Sequence, residues 1–422
     1  MANRSFWRVG HWPTLLSAFL YFDVSFMIWV LLGALGNYVA AQFQLSPAEK
    51  GLMTAVPLLG GSLLRLVLGH LTDTIGPKRT GLLGMAVTAV PLCLGWLWAD
   101  SMPKLYLVGL LLGVAGASFA AALPLAGRWY PPQYQGLAMG IAGAGNSGTL
   151  FATLFAPRLA ELYGWRAVFA LALIPLIVVA VVFVCCAREA PGSRPGGACR
   201  ESFLSVLRER DTGIFCFFYA ITFGGFVGLA SFLSVYLHDR YGVSRVAAGD
   251  LTSLTVLAGS LLRPVGGALA DRFGGLRMLR LLYGSVGLLL VLVTRADTAG
   301  VATALLVGIM ACLGMGNGAV FQLVPHRYSA NLGAATGILG AAGGFGGFVV
   351  PNLLGSSRQW FDSYEPGYFG LAMMAALALV VLLRVEVRWV GRWIAEHGRA
   401  LPRSEEVWLR PGRETEVAVS PK

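Results

Sequence analysis

Twelve stretches of this chain are each long and apolar enough to cross a lipid bilayer. They lie at about residues 15–40, 48–71, 80–99, 104–127, 135–157, 166–186, 213–237, 246–270, 278–294, 299–324, 333–355 and 366–387. A spanning helix needs about 20 predominantly apolar residues. No water-facing domain absorbs twelve such runs into one core. Composition agrees: of 422 residues, 56% are hydrophobic and 13% charged, against roughly 25% charged in soluble domains. A barrel, whose strands alternate over about 10 residues, does not fit runs of this length. The fold expected is an all-α polytopic membrane protein of twelve transmembrane helices.

The net charge of +11 raises the question of a nucleic-acid partner, and its distribution answers it. With both termini on one side, the alternating connections divide 22 Lys and Arg to that side and 8 to the other. Such a bias marks the cytoplasmic face and fixes the orientation. The expectation is a multi-pass protein of the inner (cytoplasmic) membrane, with cytoplasmic termini, a lipid surround and no nucleic acid. The first run has no small-residue cleavage site after it, so a retained helix is expected rather than a signal peptide. Cysteines 93, 185, 186, 199, 216 and 312 lie mostly in apolar runs without CxxC spacing, which reads as packing. Neither a metal nor a cofactor is expected, and a monomer is.

The halves of the chain repeat. "GSLLR" ending at Arg65 returns ending at Arg263, an offset of 198. "GIAGAGNSG" from Gly140 returns as "GILGAAGGFGG" from Gly337, an offset of 197. Between the repeats, "REAPGSRPGGACRESFLSVLRERD" is the longest polar connection. The organisation expected is a six-helix half over 1–187, a cytoplasmic loop over 188–211, a second six-helix half over 212–390 and a cytoplasmic tail over 391–422. Paired halves of this kind build transporters that rock about a central site. After each arginine comes a turn of the form G-x-L-x-D-x-x-G-x-x-R: "GHLTDTIGPKR" with Asp73, Gly76 and Arg79, and "GALADRFGGLR" with Asp271, Gly274 and Arg277. The glycine reverses the chain, and the charged residues sit at the membrane rim. Both turns resemble the gating loops of the major facilitator superfamily.

Only three ionisable residues lie well inside the spans: Asp23, Arg65 and Arg263. A charge at the bilayer centre costs about 2.5–3.5 kcal/mol even on the permissive insertion scale. Each arginine precedes its rim acid by eight residues, about 12 Å of helix, which sets it near the midplane. Snorkelling or a structural pair with Asp23 explains one such arginine. Two, in matching helices of two halves, point to an anion held between planar guanidinium forks. Phe119, Tyr219 and Phe223 stand in small-residue spans, where core packing and a flat-walled slot both account for them. Asn146, Asn317 and Gln322 are candidate amide donors. His70 and His326 fall near the cytoplasmic ends.

On these residues the chain resembles the nitrate/nitrite porter family of the major facilitator superfamily. The resemblance runs through all twelve spans. It is carried by the paired arginines, "GAGNSG", "GAAGGFGGFVVPNLLGSS", "YAITFGGFVG" and "ASFAAALPLAGRWYPPQYQG". "FDVSFMIWVLLGALGNYVA" looks like the assimilatory bacterial branch. Ala144, Ser147 and Thr149 depart from the family's usual first glycine-rich signature. The resemblance implies that Arg65 and Arg263 clamp nitrate or nitrite, Phe119 and Phe223 sandwich its plane, and Tyr219 and Asn146 hydrogen-bond it.

Coupling stays open at this level. Proton symport needs a titratable group, for which Asp23 is the intramembrane carboxyl, or else a structural partner. Exchange of nitrate for nitrite needs none. A carrier of a small organic carboxylate calls for a larger, more polar pocket. A sensor that binds an anion without moving it calls for a signalling domain, and the sequence shows none. An enzyme is not expected: no His cluster, nucleophile elbow or phosphate-binding loop appears.

Overall fold

The computed structural model describes residues 6–191, 199–328 and 332–394. Its spans, in chain order, begin with Trp12–Trp29, carried on by Leu31–Ala34 and Gly36–Phe43. Pro47–Ile75, Pro77–Leu97 and Met102–Gly127 follow. The fifth span is Pro132–Gly143 and Gly148–Tyr163, and the sixth is Trp165–Cys186. The seventh to twelfth are Arg210–Tyr241, Arg245–Phe273, Gly275–Val293, Ala299–Arg327, Leu332–Phe361 and Glu365–Trp389.

Among the described residues, eleven helices are long and apolar enough to cross a membrane. The fifth apolar run differs from expectation. It is two helices of 12 and 16 residues joined by a 3-10 turn at Ala144–Ser147. Three glycines with Asn and Ser weaken the α ladder there, since glycine is a poor helix former and Asn and Ser compete for backbone bonds. The seventh span carries a matching irregularity, a π-turn over Ala220–Gly224. The expected loop over 188–211 also holds structure: Cys199–Arg208 is a helix, and Arg210 already begins the seventh span. Residues 192–198 and the expected tail from 395 onward lie outside the described residues.

The second and eighth spans, the arginine-bearing ones, are built alike. Each runs 29 residues, about 43 Å, longer than the hydrocarbon core. Ser46 caps the second through a reciprocal bond with Glu49, and Ser244 caps the eighth through the Ala247 N–H. Each ends at a glycine with positive φ, Gly76 at 90° and Gly274 at 96°. Side-chain-bearing residues rarely adopt that conformation, so glycine is what lets the chain turn directly into the next span.

Two seams join the first six spans to the last six: the second span against the eleventh, and the fifth against the eighth. Ser62 donates to the Ala341 carbonyl at 2.6 Å in one, and Thr153 and Ser253 hydroxyls meet at 2.8 Å in the other. Spans on the outside show apolar faces instead. Ile174, Ile177, Val178, Val181 and Val184 of the sixth are more than half exposed, as a lipid-facing stripe requires.

Candidate functional site

Both arginines project inward from the second and eighth spans, and both are buried, Arg65 to 1% and Arg263 to 8% exposure. Arg65 Nε donates to the Gly116 carbonyl at 3.0 Å, and its Nη1 donates to the Gly340 carbonyl. Gly340 belongs to the eleventh span, so Arg65 reaches across the seam. Arg263 approaches the first half in turn, without a hydrogen bond to it: a methyl group added at Gly143 of the fifth span would stand 3.9 Å from its Nη2. Gly143 and Gly340 are related by the same 197-residue offset as the glycine-rich repeats. The arms cross.

One nitrogen on each fork has no partner: Nη2 of Arg65 and Nη1 of Arg263. The two guanidiniums are near enough that each feels the other's charge. Among the described residues, no carboxylate lies within ion-pair distance of either. Buried charge without a counter-charge is costly, and donors without acceptors add to the cost.

Aromatic rings meet part of it, at Arg65 alone. Its guanidinium carbon lies 4.8 Å from the Phe223 ring centre, 5.1 Å from Trp29 and 5.6 Å from Phe119. Cation–ring contacts contribute about 0.5–2 kcal/mol each, most when desolvated. Tyr219 stacks on Phe223 at 5.0 Å with ring planes 8° apart. Its buried hydroxyl lies against the Arg263 guanidinium without a well-aligned hydrogen bond, and within electrostatic reach of both arginines. The π-turn follows directly after Tyr219 and contains Phe223. Of the residues singled out in the sequence, Arg65, Arg263, Phe119, Tyr219 and Phe223 therefore converge.

Asn146 and Asp23 do other things. Asn146 is fully buried, and its side-chain amide, turned so that its nitrogen faces the Gly143 and Ala144 carbonyls, would donate to both at 3.2 Å within its own turn. Asp23 pairs with neither arginine. Ser147 Oγ donates to its Oδ1 at 2.6 Å, and the Gly148 N–H bonds it as well. That places a carboxylate on the N-terminus of the Gly148–Tyr163 helix, where backbone N–H groups and the helix dipole favour it. Gln322 lies away from the forks, with its amide oxygen against the Gly275 turn. His70 and His326 are exposed, in keeping with rim positions.

The rim residues occupy the ends of the arginine-bearing helices. Asp73 pairs with Arg128 at 3.4 Å. Arg79, Asp271 and Arg277 are exposed, and Gly76 and Gly274 form the two turns.

Sequence reasoning passed over Trp29 and Phe321. Trp29 is held under Arg65 by its ring N–H, which donates to the Pro57 carbonyl at 2.6 Å, and it fills the space that Gly61 and Gly116 leave open. Phe321 bridges Phe119 and Tyr219, at 5.8 and 5.1 Å between ring centres. Gly61 and Gly116 were the available signal, since each makes room for a bulky neighbour.

At one end of the molecule, ion pairs tie the first six spans to the last six: Lys50 to Asp239 at 2.6 Å, and Arg158 to Asp250 through two bonds of 2.6 and 2.9 Å. Asn37 adds a bond to the Ser234 carbonyl at 3.0 Å. Toward the signature turns, the pairs Arg128–Asp73, Arg327–Asp211 and Arg280–Glu386 each join elements of the same half.

Residues 17–351 match the family model described as Major Facilitator Superfamily. The chain is similar to the nitrite extrusion protein of Bacillus subtilis (33% identical, over 85% of this chain and 90% of that one). It is similar to a probable nitrate/nitrite transporter, NarK2, of Mycobacterium tuberculosis (35%, over 85% and 91%). A probable nitrate/nitrite antiporter, NarK1, of Thermus thermophilus is 32% identical over 86% and 88% of the two chains.

Proposed function

The chain belongs to the nitrate/nitrite porters of the major facilitator superfamily, and from that premise we propose that it moves nitrate across the inner membrane by alternating access, in exchange for nitrite. Arg65 and Arg263 grip the anion from opposite halves. The observation that carries this reading is the pair of buried guanidiniums, each with an uncommitted nitrogen and, among the described residues, neither in an ion pair with a carboxylate.

Nitrate is flat and singly charged, and each fork offers parallel N–H donors to adjacent oxygens. Phe119 and Phe223 wall the slot, and Tyr219 offers its hydroxyl. Neither guanidinium loses its proton, so the empty site holds two like charges that resist further approach. A bound anion offsets that repulsion and lets the halves close. An empty carrier stays on one side, and this favours exchange. Asp23 bonds to Ser147 and a helix end rather than to either arginine. The name of the Thermus relative, an antiporter, agrees with exchange. Exchange of two monovalent anions moves no net charge, so it avoids the cost of about 2.3 kcal/mol per charge per 100 mV. An assimilatory role needs net uptake and belongs with the symport reading.

With cytoplasmic termini, the cross-half ion pairs lie at the outer face, and we read this conformation as closed on that side. Purified protein in liposomes tests the proposal. Internal nitrite should drive nitrate entry that ignores imposed pH and voltage gradients. Asp23→Asn should keep that exchange and lose about 1 kcal/mol of stability, the usual worth of a helix cap. Nitrate entry without nitrite, driven by a proton gradient and abolished in Asp23→Asn, would restore symport. Absence of flux under every condition would sink transport itself.

A further inference from the structure

We infer that Asn317 is a contact residue of the central site, orienting Arg263 through its side-chain oxygen and donating its amide N–H to the anion. The inference rests on the transport reading above and adds a residue to it.

Asn317 is completely buried, and neither its amide nitrogen nor its amide oxygen has a partner. A buried primary amide left with both ends unsatisfied is rare and costly. It sits on the tenth span, and its direction follows from its neighbours. Phe321, one helical turn later and on the same face, touches Phe119 and Tyr219 of the central site. Gly316 and Gly318 on either side lie against Thr222 of the seventh span and the Arg263 carbonyl of the eighth. Asn317 therefore points into the space that Tyr219 and Arg263 border.

The repeat gives the same placement independently. At the 198-residue offset that superposes Arg65 on Arg263, Asn317 falls on Phe119. The local packing keeps this register. A methyl group added at Gly69 would lie 3.9 Å from Ala120, and one added at Gly267 would lie 3.8 Å from the Gly318 carbonyl. Ala120 and Gly318 are the residues that follow Phe119 and Asn317. Where the first half sets a ring against its arginine, the second half sets an amide.

The chemistry is complementary. Arg263 Nη1 is also unpartnered, and the Tyr219 hydroxyl lies against the same guanidinium. The Asn317 amide oxygen needs a donor, which Arg263 supplies and nitrate, carrying no hydrogen, does not. The amide N–H then faces a nitrate oxygen, as asparagine's two-sided inventory allows.

The test is nitrate/nitrite exchange by the full chain in liposomes, with thermal melting in the presence and absence of nitrate. Asn317→Leu keeps the volume and removes a costly unsatisfied amide. It should raise the KM for nitrate about tenfold or more, the worth of one hydrogen bond to a charged group. It should also melt at the same temperature as the parent or higher without nitrate, and gain less from nitrate. An unchanged KM in Asn317→Leu overturns the inference while leaving transport intact; failure of the parent to exchange or to be stabilised by nitrate overturns the transport reading instead. If Asn317→Leu does not fold, Asn317→Asp decides. Nearly isosteric, it places a carboxylate against Arg263 and should lose nitrate affinity, and a parent-like KM there counts against the role.

Discussion

Arg65 and Arg263 have the same repeat position and different surroundings. Arg65 is tied to two carbonyls and set among three rings, while Arg263 keeps a free Nη1. In the proposed clamp, Arg65 is the fixed jaw and Arg263 the adjustable one. Lysine at 65 keeps the charge, but loses the fork proposed to bind the anion and the plane that lies against the rings. Arg65→Lys should therefore lower nitrate exchange by about tenfold or more, measured as initial flux per mole of folded carrier. Arginine repetition was plain in the sequence, because charge inside an apolar run stands out against its background. Trp29 was invisible for the opposite reason: one more apolar side chain in an apolar span carries no contrast. Asp23 was visible as a charge, yet its partner was not, because Ser147 is far away in the chain.

Glycines set how close the spans come, and they do not do so equally. A methyl group at Gly340 would stand 3.3 Å from Arg65 Cδ, closer than packed atoms ordinarily come, whereas at Gly143 the nearest approach to Arg263 is 3.9 Å. Gly340→Ala should push the fixed jaw aside and raise the KM for nitrate several-fold. Gly143→Ala should leave it within about twofold, since small changes that meet only ordinary contacts cost little. Nitrate-dependent exchange rates of the two variants check this. The spans themselves were readable from length and hydropathy alone. The breaks in them were not: the 3-10 turn at Ala144–Ser147 and the π-turn at Ala220–Gly224 depend on which neighbours supply alternative packing, and an apolar count does not record that.

At the scale of the molecule, the halves are joined by charge at one end. Arg158 and Asp250 are about two-fifths exposed, Lys50 and Asp239 less than one-fifth. Exposed pairs contribute about 0–1 kcal/mol, a modest bias of the kind a carrier needs to change state. Asp250→Asn should shift part of the population to the outward-open state. Spin labels at the outer ends of the fifth and eighth spans should then show a second, longer distance. Exchanging the charges, Arg158→Asp with Asp250→Arg, should restore the single short distance. These pairs were not legible beforehand, because residues 92 apart meet only once both halves are assembled.

The crossed arms have a consequence for heredity. Arg65 rests on the second half's Gly340, and Arg263 on the first half's Gly143. The second half cannot drift freely at Gly340, where an added methyl group would stand 3.3 Å from the first half's Arg65, while Gly143 leaves Arg263 more room. Chimaeras joining the first half of one porter to the second half of another should fail where these pairs are mismatched and work where they agree. A duplicated ancestor that acquired crossed arms would have bound its two copies to a shared history.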